Sequence, residues 1–209
     1  MAADAGQDRR IERSRAAVLD AATTVFLREG YDGASVDDIA REAGVVKRTV
    51  YNVFGDKETL FRETIQRSIE VAERFSAELV AETGRMRDAN DDIPRTARRL
   101  AGAVLRGRVL PLRRLLVSEL RRFPDLAGEY RRRAPETVMR ALASALQDLA
   151  DAGQLRIESA DVAAEHLAFL VMGADMDRGM FDERATPSEA RVRERADAGA
   201  AAFLRAYGV

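Results

Sequence analysis

Cysteine is absent from this chain, and His166 is its only histidine. The lack of cysteine excludes disulfide bonds, a thiolate nucleophile and thiolate metal ligands. A hydrolase triad would have one residue available as its base, and a metal site would depend mainly on carboxylates. The sequence also has no glycine-rich phosphate loop placed after a strand. We therefore expect no metal and no other cofactor, and an enzyme in a helical fold is the remotest of the alternatives.

Long hydrophobic segments are absent as well. The longest apolar run, Leu167–Ala174, is far too short to span a bilayer. The first ten residues contain no apolar stretch of the kind found in a signal peptide. We expect a cytoplasmic protein that does not contact the membrane.

An excess of charge of either sign is also missing, because 34 basic residues oppose 35 acidic ones. A net charge of −1 argues against a protein that coats nucleic acid non-specifically. Specific DNA binding needs only a local basic surface, and basic residues do cluster at 9–15 and again at Lys47, Arg48 and Lys57. On charge alone, a solvated charged face is an equally good interpretation.

Apolar residues recur at helical spacing along the chain, and no alternating run is long enough to indicate a strand. The sequence therefore predicts an all-α protein. Pro94 is expected to start one helix, Gly173 to end another, and Thr186 to cap the last. Breaks of this kind predict helices at about residues 11–29, 36–43, 46–53, 56–83, 94–107, 111–122, 125–133, 135–152, 160–173 and 187–207.

Two of these helices are short, and Gly44 lies in the turn between them, which is the pattern of a helix-turn-helix. Ser35 is placed to cap the first, with Asp38 three residues later in the capping-box position. In the second, Val50 and Phe54 are expected to face a small core. The residues left to meet DNA are Lys47, Arg48, Thr49, Tyr51 and Asn52.

The segments AATTVFLREGYDGASVDDIAREAGV and VKRTVYNVFGDKETLF resemble the DNA-binding domain of TetR-family repressors in order, spacing and glycine placement. The resemblance implies an N-terminal three-helix helix-turn-helix domain followed by a helical ligand-binding and dimerisation domain. We expect a flexible arm at residues 1–10, the DNA-binding domain at 11–56 and the second domain at 57–209.

Roles within the DNA-binding set follow from side-chain chemistry. Arginine and lysine can address the acceptors of guanine and asparagine can address adenine, so Arg48, Lys47 and Asn52 are the base-reading candidates. The resemblance implies phosphate contacts for Tyr51, Lys57 and the Ser35 hydroxyl. Ser35 could equally be a helix cap and nothing more.

Two residues depart from the family pattern. Val46 stands where the family often has serine, which removes a side-chain cap from the second short helix. Val53 stands where histidine or tyrosine is common, which removes one expected phosphate contact. Their effect on DNA affinity is left open by the sequence.

The segment RRLLVSELRRFPDLAGEYRRR is similar to a subgroup of the family with an AefR-like C-terminal domain. By resemblance, the last two helices of each subunit would form a four-helix bundle in a homodimer. Small and apolar residues at 3- and 4-residue spacing would face the partner. These residues are Val162, Leu167, Leu170, Val192, Ala196, Gly199 and Phe203. Packing within one subunit is the alternative interpretation of the same pattern.

A cavity for a small effector is expected among the long fourth helix and the later helices of the second domain. Its predicted lining is Phe75, Leu79, Leu100, Val104, Met139, Leu142, His166, Phe169 and Met172. The alternative is that the apolar members form ordinary core and that His166 lies at the surface.

Together these features predict a repressor that binds a palindromic operator in double-stranded DNA and is released by a small hydrophobic or amphipathic molecule. The alternative within the same fold is a DNA-binding protein that has no inducer and answers to a protein partner.

Overall fold

In the computed structural model, residues 2–209 are described, with side chains from Glu12 onward. The basic cluster predicted at residues 9–15 therefore lies partly outside the described side chains. Over residues 2–209 the chain forms ten helices and no named strand, so the predicted all-α class is confirmed. The helices are α1 (Ala2–Gly33), α2 (Val36–Glu42), α3 (Lys47–Phe54), α4 (Lys57–Thr83), α5 (Ala89–Arg106), α6 (Val109–Ser118), α7 (Pro124–Arg133), α8 (Pro135–Asp151), α9 (Ala160–Phe181) and α10 (Glu189–Tyr207).

The residues divide into two compact units. The first comprises the chain up to Glu70 together with Leu115–Ala127, and the second comprises Val71–Arg114 and Gly128–Val209. The first unit therefore contains the beginning of α4 and the corner between α6 and α7, both of which the sequence placed in the C-terminal domain. Helix α1 begins at Ala2, inside the segment predicted as an arm.

Several helix boundaries differ from the predictions, among them the end of α6 at Ser118 rather than near residue 122, and three of the differences have an identifiable physical cause. Helix α5 begins at Ala89 rather than at Pro94, because the Asp88 carboxylate caps it by accepting hydrogen bonds from Asn90 N and Asp91 N. Helix α9 continues through Gly173 to Phe181, since Met176 and Met180 beyond the glycine pack against the core and offset its weak helix propensity.

The third difference concerns α10. Its cap is Ser188, which accepts a hydrogen bond from Arg191 N, and not Thr186. No helix in the part of the chain that the structure describes is both long and apolar enough to cross a bilayer.

The second unit has one apolar core, to which α5, α8, α9 and α10 contribute buried residues. Helix α10 packs against α5 and α9 within the same chain. Five residues predicted to form the dimer interface lie in this core, so that prediction is wrong for them. They are Leu167, Val192, Ala196, Gly199 and Phe203.

Gly199 shows why these five residues were assigned wrongly. A Cβ atom added there would lie 2.7 Å from the Leu170 carbonyl oxygen and 2.9 Å from Val171 Cα, both in α9 of the same chain. The small residue allows close helix approach, as expected, but the approaching helix is an intrachain neighbour.

Replacing Gly199 with alanine should therefore destabilise the fold itself. We expect the free energy of unfolding to fall by about 1–3 kcal/mol, because the backbone of α9 must move to admit the methyl group. Chemical denaturation followed by circular dichroism measures this change.

The matched control is Gly102→Ala in α5, where an added Cβ has no neighbour within 4 Å. This change should raise the free energy of unfolding by about 0.5–1 kcal/mol through better helix propensity. A Gly199→Ala protein as stable as the control would contradict the close contact between α9 and α10.

Candidate DNA-binding surface

The start of α2 is fixed by the side chain of Ser35. Its hydroxyl oxygen accepts a hydrogen bond from Asp38 N at 3.0 Å and donates one to the Asp38 carboxylate. The hydrogen bond from Ser35 is the main cause that lowers the pKa of the Asp38 carboxyl below its usual value. A hydrogen bond donated by Arg41 to the same carboxylate is the second cause. The helix-cap role of Ser35 is thus present, whereas its phosphate contact stays a prediction.

The turn between α2 and α3 depends on Gly44, whose φ of +67° is one that other residues rarely adopt. The chain then enters α3 through Val46, which is extended and provides no side-chain cap. The loss of a cap expected from this valine is confirmed.

Helix α3 has two different faces. Val50 and Phe54 are buried in the first unit. On the other side, four of the five residues predicted to meet DNA are exposed, namely Lys47, Arg48, Tyr51 and Asn52, and Thr49 is half-buried. The structure therefore brings the predicted base-reading side chains onto one open surface.

The charged groups on this surface are not equally available. Lys47 Nζ lies 2.7 Å from an Asp37 carboxylate oxygen, and this hydrogen bond raises the pKa of the lysine above its usual value. Among the described residues, the side chains of Arg48 and Asn52 have no hydrogen-bonding or ion-pair partner. Arg48 can thus reach a base without first breaking a bond within the protein.

Lys57 stands at the first position of α4, beside the aromatic ring of Tyr31. Its Nζ lies 4.6 Å from the ring centroid and donates a hydrogen bond of 3.4 Å to the Asp32 carbonyl oxygen. The preceding residue, Asp56, caps α4 by accepting a hydrogen bond from Thr59 N, which lowers the pKa of the Asp56 carboxyl. The lysine is held where α4 begins, as a phosphate contact there would require.

One part of the first unit was missed by the sequence analysis. The corner between α6 and α7 contributes Phe123, whose ring centroid lies 4.8 Å from that of Phe61 and 5.2 Å from that of Tyr31. In the sequence, only the two arginines before it and the proline after it indicated a turn at this position. Helical periodicity gave no indication that a residue so far along the chain packs among α1 and α4.

Family comparisons agree with this geometry. The model of bacterial regulatory proteins of the tetR family matches residues 18–64, and the model of the AefR-like transcriptional repressor C-terminal domain matches residues 92–209. This chain belongs to the TetR family. Members of the family are DNA-binding transcriptional regulators and not enzymes.

Individual relatives extend the match along the chain. A crystal structure of a TetR-family transcriptional regulator from Mesorhizobium loti is 32% identical, with a TM-score of 0.80 over 96% of this chain and 99% of that one. The flavonoid-responsive regulator FrrA is 26% identical, with a TM-score of 0.61 over 94% of this chain and 98% of that one. IcaR of Staphylococcus epidermidis, a negative regulator of a biofilm operon, is 33% identical over 49 residues, which are 23% of this chain and 26% of IcaR.

The residues predicted to line an effector cavity of this TetR-family protein are not gathered around an open space. Leu79, Leu100, Leu142 and Met172 are buried in the core of the second unit, with Phe75, Val104 and Met139 packed against it. A cavity of about 40 Å³ in this unit is lined by residues between Leu105 and Thr186 that include none of them.

Two members of the predicted lining lie at the surface instead. His166 is exposed, and its Nδ1 is within hydrogen-bond distance of the Tyr207 hydroxyl in α10. Phe169 is 64% exposed. Both are on the solvent side of α9, so their assignment to an interior cavity is wrong. In the described residues, no group of three or more acidic or histidine side chains is placed to hold a metal ion.

Proposed function

We propose that this TetR-family regulator is a repressor that binds a palindromic operator as a homodimer and acts in the cytoplasm. The observation that carries the proposal is the open face of α3, on which Arg48 and Asn52 are exposed and have no partner among the described residues. Arginine and asparagine are the side chains best suited to read guanine and adenine in the major groove. Lys57 at the start of α4 is the proposed phosphate contact.

Arg48 and Lys57 should differ in the kind of binding they support. Arg48→Ala should weaken operator binding by about 1–3 kcal/mol and relax preference at one base pair in each half-site, because a base contact is lost. Lys57→Gln should weaken operator and random DNA alike and reduce the salt dependence by about one ion per subunit. Fluorescence anisotropy over a range of salt concentrations measures both effects, and equal losses on both DNAs for both variants would refute the division of roles.

For the dimer, we propose the exposed apolar side of α9 as the contact surface. Val162 and Leu170 of the predicted interface are exposed there, as is Phe169. Exposed aromatic and aliphatic side chains on one helix are typical of a surface that is covered in the assembled protein. This surface replaces the five buried residues of α9 and α10 that the sequence indicated.

A glutamate introduced on this surface should separate the subunits. Val162→Glu and Phe169→Glu are expected to give monomers in sedimentation velocity, because a dimer would have to bury an unpaired carboxylate. The control is Val71→Glu in α4, since Val71 is 48% exposed and Val162 is 46% exposed. If Val162→Glu and Phe169→Glu remained dimeric like the control, the interface would lie elsewhere.

Release by a small molecule is the final part of the proposal, and the name of FrrA, a flavonoid-responsive relative, supports it. The close packing of the predicted lining favours the alternative of a regulator without an inducer. A drug-sized ligand needs a pocket of about 300 Å³ or more. An inducer that binds among these lining residues would therefore act only if the core of the second unit can open.

Thermodynamic linkage tests the inducer directly. A ligand that releases the operator must bind more weakly to the operator complex than to the free protein, by the same factor by which it weakens DNA binding. We expect a flavonoid such as naringenin to show this difference in calorimetric titrations with and without saturating operator. Measurable but equal affinities would contradict induced release, and a broad panel of hydrophobic compounds without effect would favour the protein-partner alternative.

A further inference from the structure

The corner between α6 and α7 is an integral part of the unit that carries the DNA-binding helices. Phe123 at this corner is only 2% exposed, and its ring lies against Phe61 of α4 and Tyr31 of α1. Phe26 continues the cluster, with its ring centroid 5.0 Å from that of Phe61. The corner is thus held by burial of a large aromatic side chain, which stabilises far more than a loose surface contact does.

Two ion pairs flank this aromatic contact. Arg122 Nη1 lies 2.7 Å from an Asp32 carboxylate oxygen, and Arg62 Nη1 lies 2.7 Å from an Asp125 carboxylate oxygen. The Arg122 guanidinium also lies 4.5 Å from the centroid of the Tyr31 ring. Its hydrogen bond to Asp32 is the main cause that raises the pKa of Arg122 above its usual value.

Arg122 and Lys57 have two partners in common. Each cation lies against the Tyr31 ring, and each contacts Asp32, Arg122 through the carboxylate and Lys57 through the backbone carbonyl. The Asp32 carboxylate is therefore an anion close to the proposed phosphate-binding lysine. In this structure its charge is neutralised by Arg122.

We propose that Arg122 is a positioning residue for DNA binding: by occupying the Asp32 carboxylate, it keeps Lys57 available to a DNA phosphate. Without Arg122, the flexible lysine side chain can turn to the free carboxylate of the residue whose carbonyl it already contacts. A phosphate must then compete with an ion pair inside the protein. This inference rests on the proposed role of Lys57 as a phosphate contact.

The position of Arg122 in the chain links its contact with Asp32, and with it DNA affinity, to the second unit. Helices α6 and α7 each begin or end in the second unit, and only the corner between them, Leu115–Ala127, belongs to the first. A rearrangement of the second unit that withdrew this corner would remove Arg122 from Asp32. DNA affinity would fall without any displacement of α3.

The size of the effect is limited by exposure. Arg122, Asp32 and Lys57 are accessible to solvent, and exposed ion pairs contribute little because water and salt screen them. We expect Arg122→Gln to weaken binding about two- to fivefold at low salt, equally for operator and random DNA, and less as salt is raised. Fluorescence anisotropy with labelled duplexes measures this change.

Removal of the competing anion should reverse the loss. Asp32→Asn alone should leave affinity unchanged or slightly higher, and the double variant Arg122→Gln/Asp32→Asn should bind as Asp32→Asn does. In a Lys57→Gln background, Arg122→Gln should have no further effect. Arg121→Gln is the matched control, because it makes the same charge change one residue earlier at an exposed arginine with no partner among the described side chains.

The outcomes separate this inference from the proposed function. If Lys57→Gln alone left DNA binding unchanged, the phosphate contact itself would be wrong. If Lys57→Gln weakened binding but Arg122→Gln did not, or if Arg121→Gln caused an equal loss, the positioning role would be refuted. A double variant as weak as Arg122→Gln would show instead that Arg122 contacts DNA directly. Thermal unfolding of each variant excludes a loss caused by misfolding.

Discussion

The first unit depends on one aromatic cluster, in which the rings of Phe26, Tyr31, Phe61 and Phe123 lie with neighbouring centroids 4.8–6.3 Å apart. Edge-on and tilted ring pairs at these distances contribute about 0.5–1.5 kcal/mol each beyond the burial of their area. The cluster ties α1 to α4 and to the corner that follows α6. The orientation of the beginning of α4, and with it the position of Lys57, follows from this packing.

Around the cluster, several basic side chains of the first unit are paired with acidic ones. Lys47 pairs with Asp37, Arg15 with Glu63, and Arg122 with Asp32. DNA phosphates must compete with these carboxylates, so each pair lowers the net gain from a contact. Among the described side chains, Arg48 and Lys57 have no carboxylate partner, and this contrast explains why a chain of net charge −1 can still present a specific site. Specificity then comes from a few available side chains on a rigid helix rather than from a broad basic face.

The sequence predicted those features that depend on local chemistry. The cap at Ser35, the turn at Gly44 and the two faces of α3 follow from spacing and side-chain type within a few residues. The corner at Phe123 could not be predicted in this way, because its contacts join residues far apart in the chain. The assignment of five buried residues to the dimer interface was wrong for a related reason. A stripe of small residues such as that around Gly199 indicates a close helix partner but not whether that partner belongs to the same chain.

The packing of the second unit determines which conformation an effector could bind. The residues predicted to line a cavity are packed in or against the core of the second unit, and the cavity of about 40 Å³ near Leu105 and Thr186 is far smaller than a drug-sized molecule. A ligand in that core could bind only a conformation in which the helices have separated, so its apparent affinity would be reduced by the fraction of molecules in that state. The apparent affinity of such an effector would depend more on how readily the core opens than on the shape of a preformed pocket. Any change that closes the core more tightly, including a better packed helix contact, would make the protein harder to induce while leaving its DNA-binding surface intact.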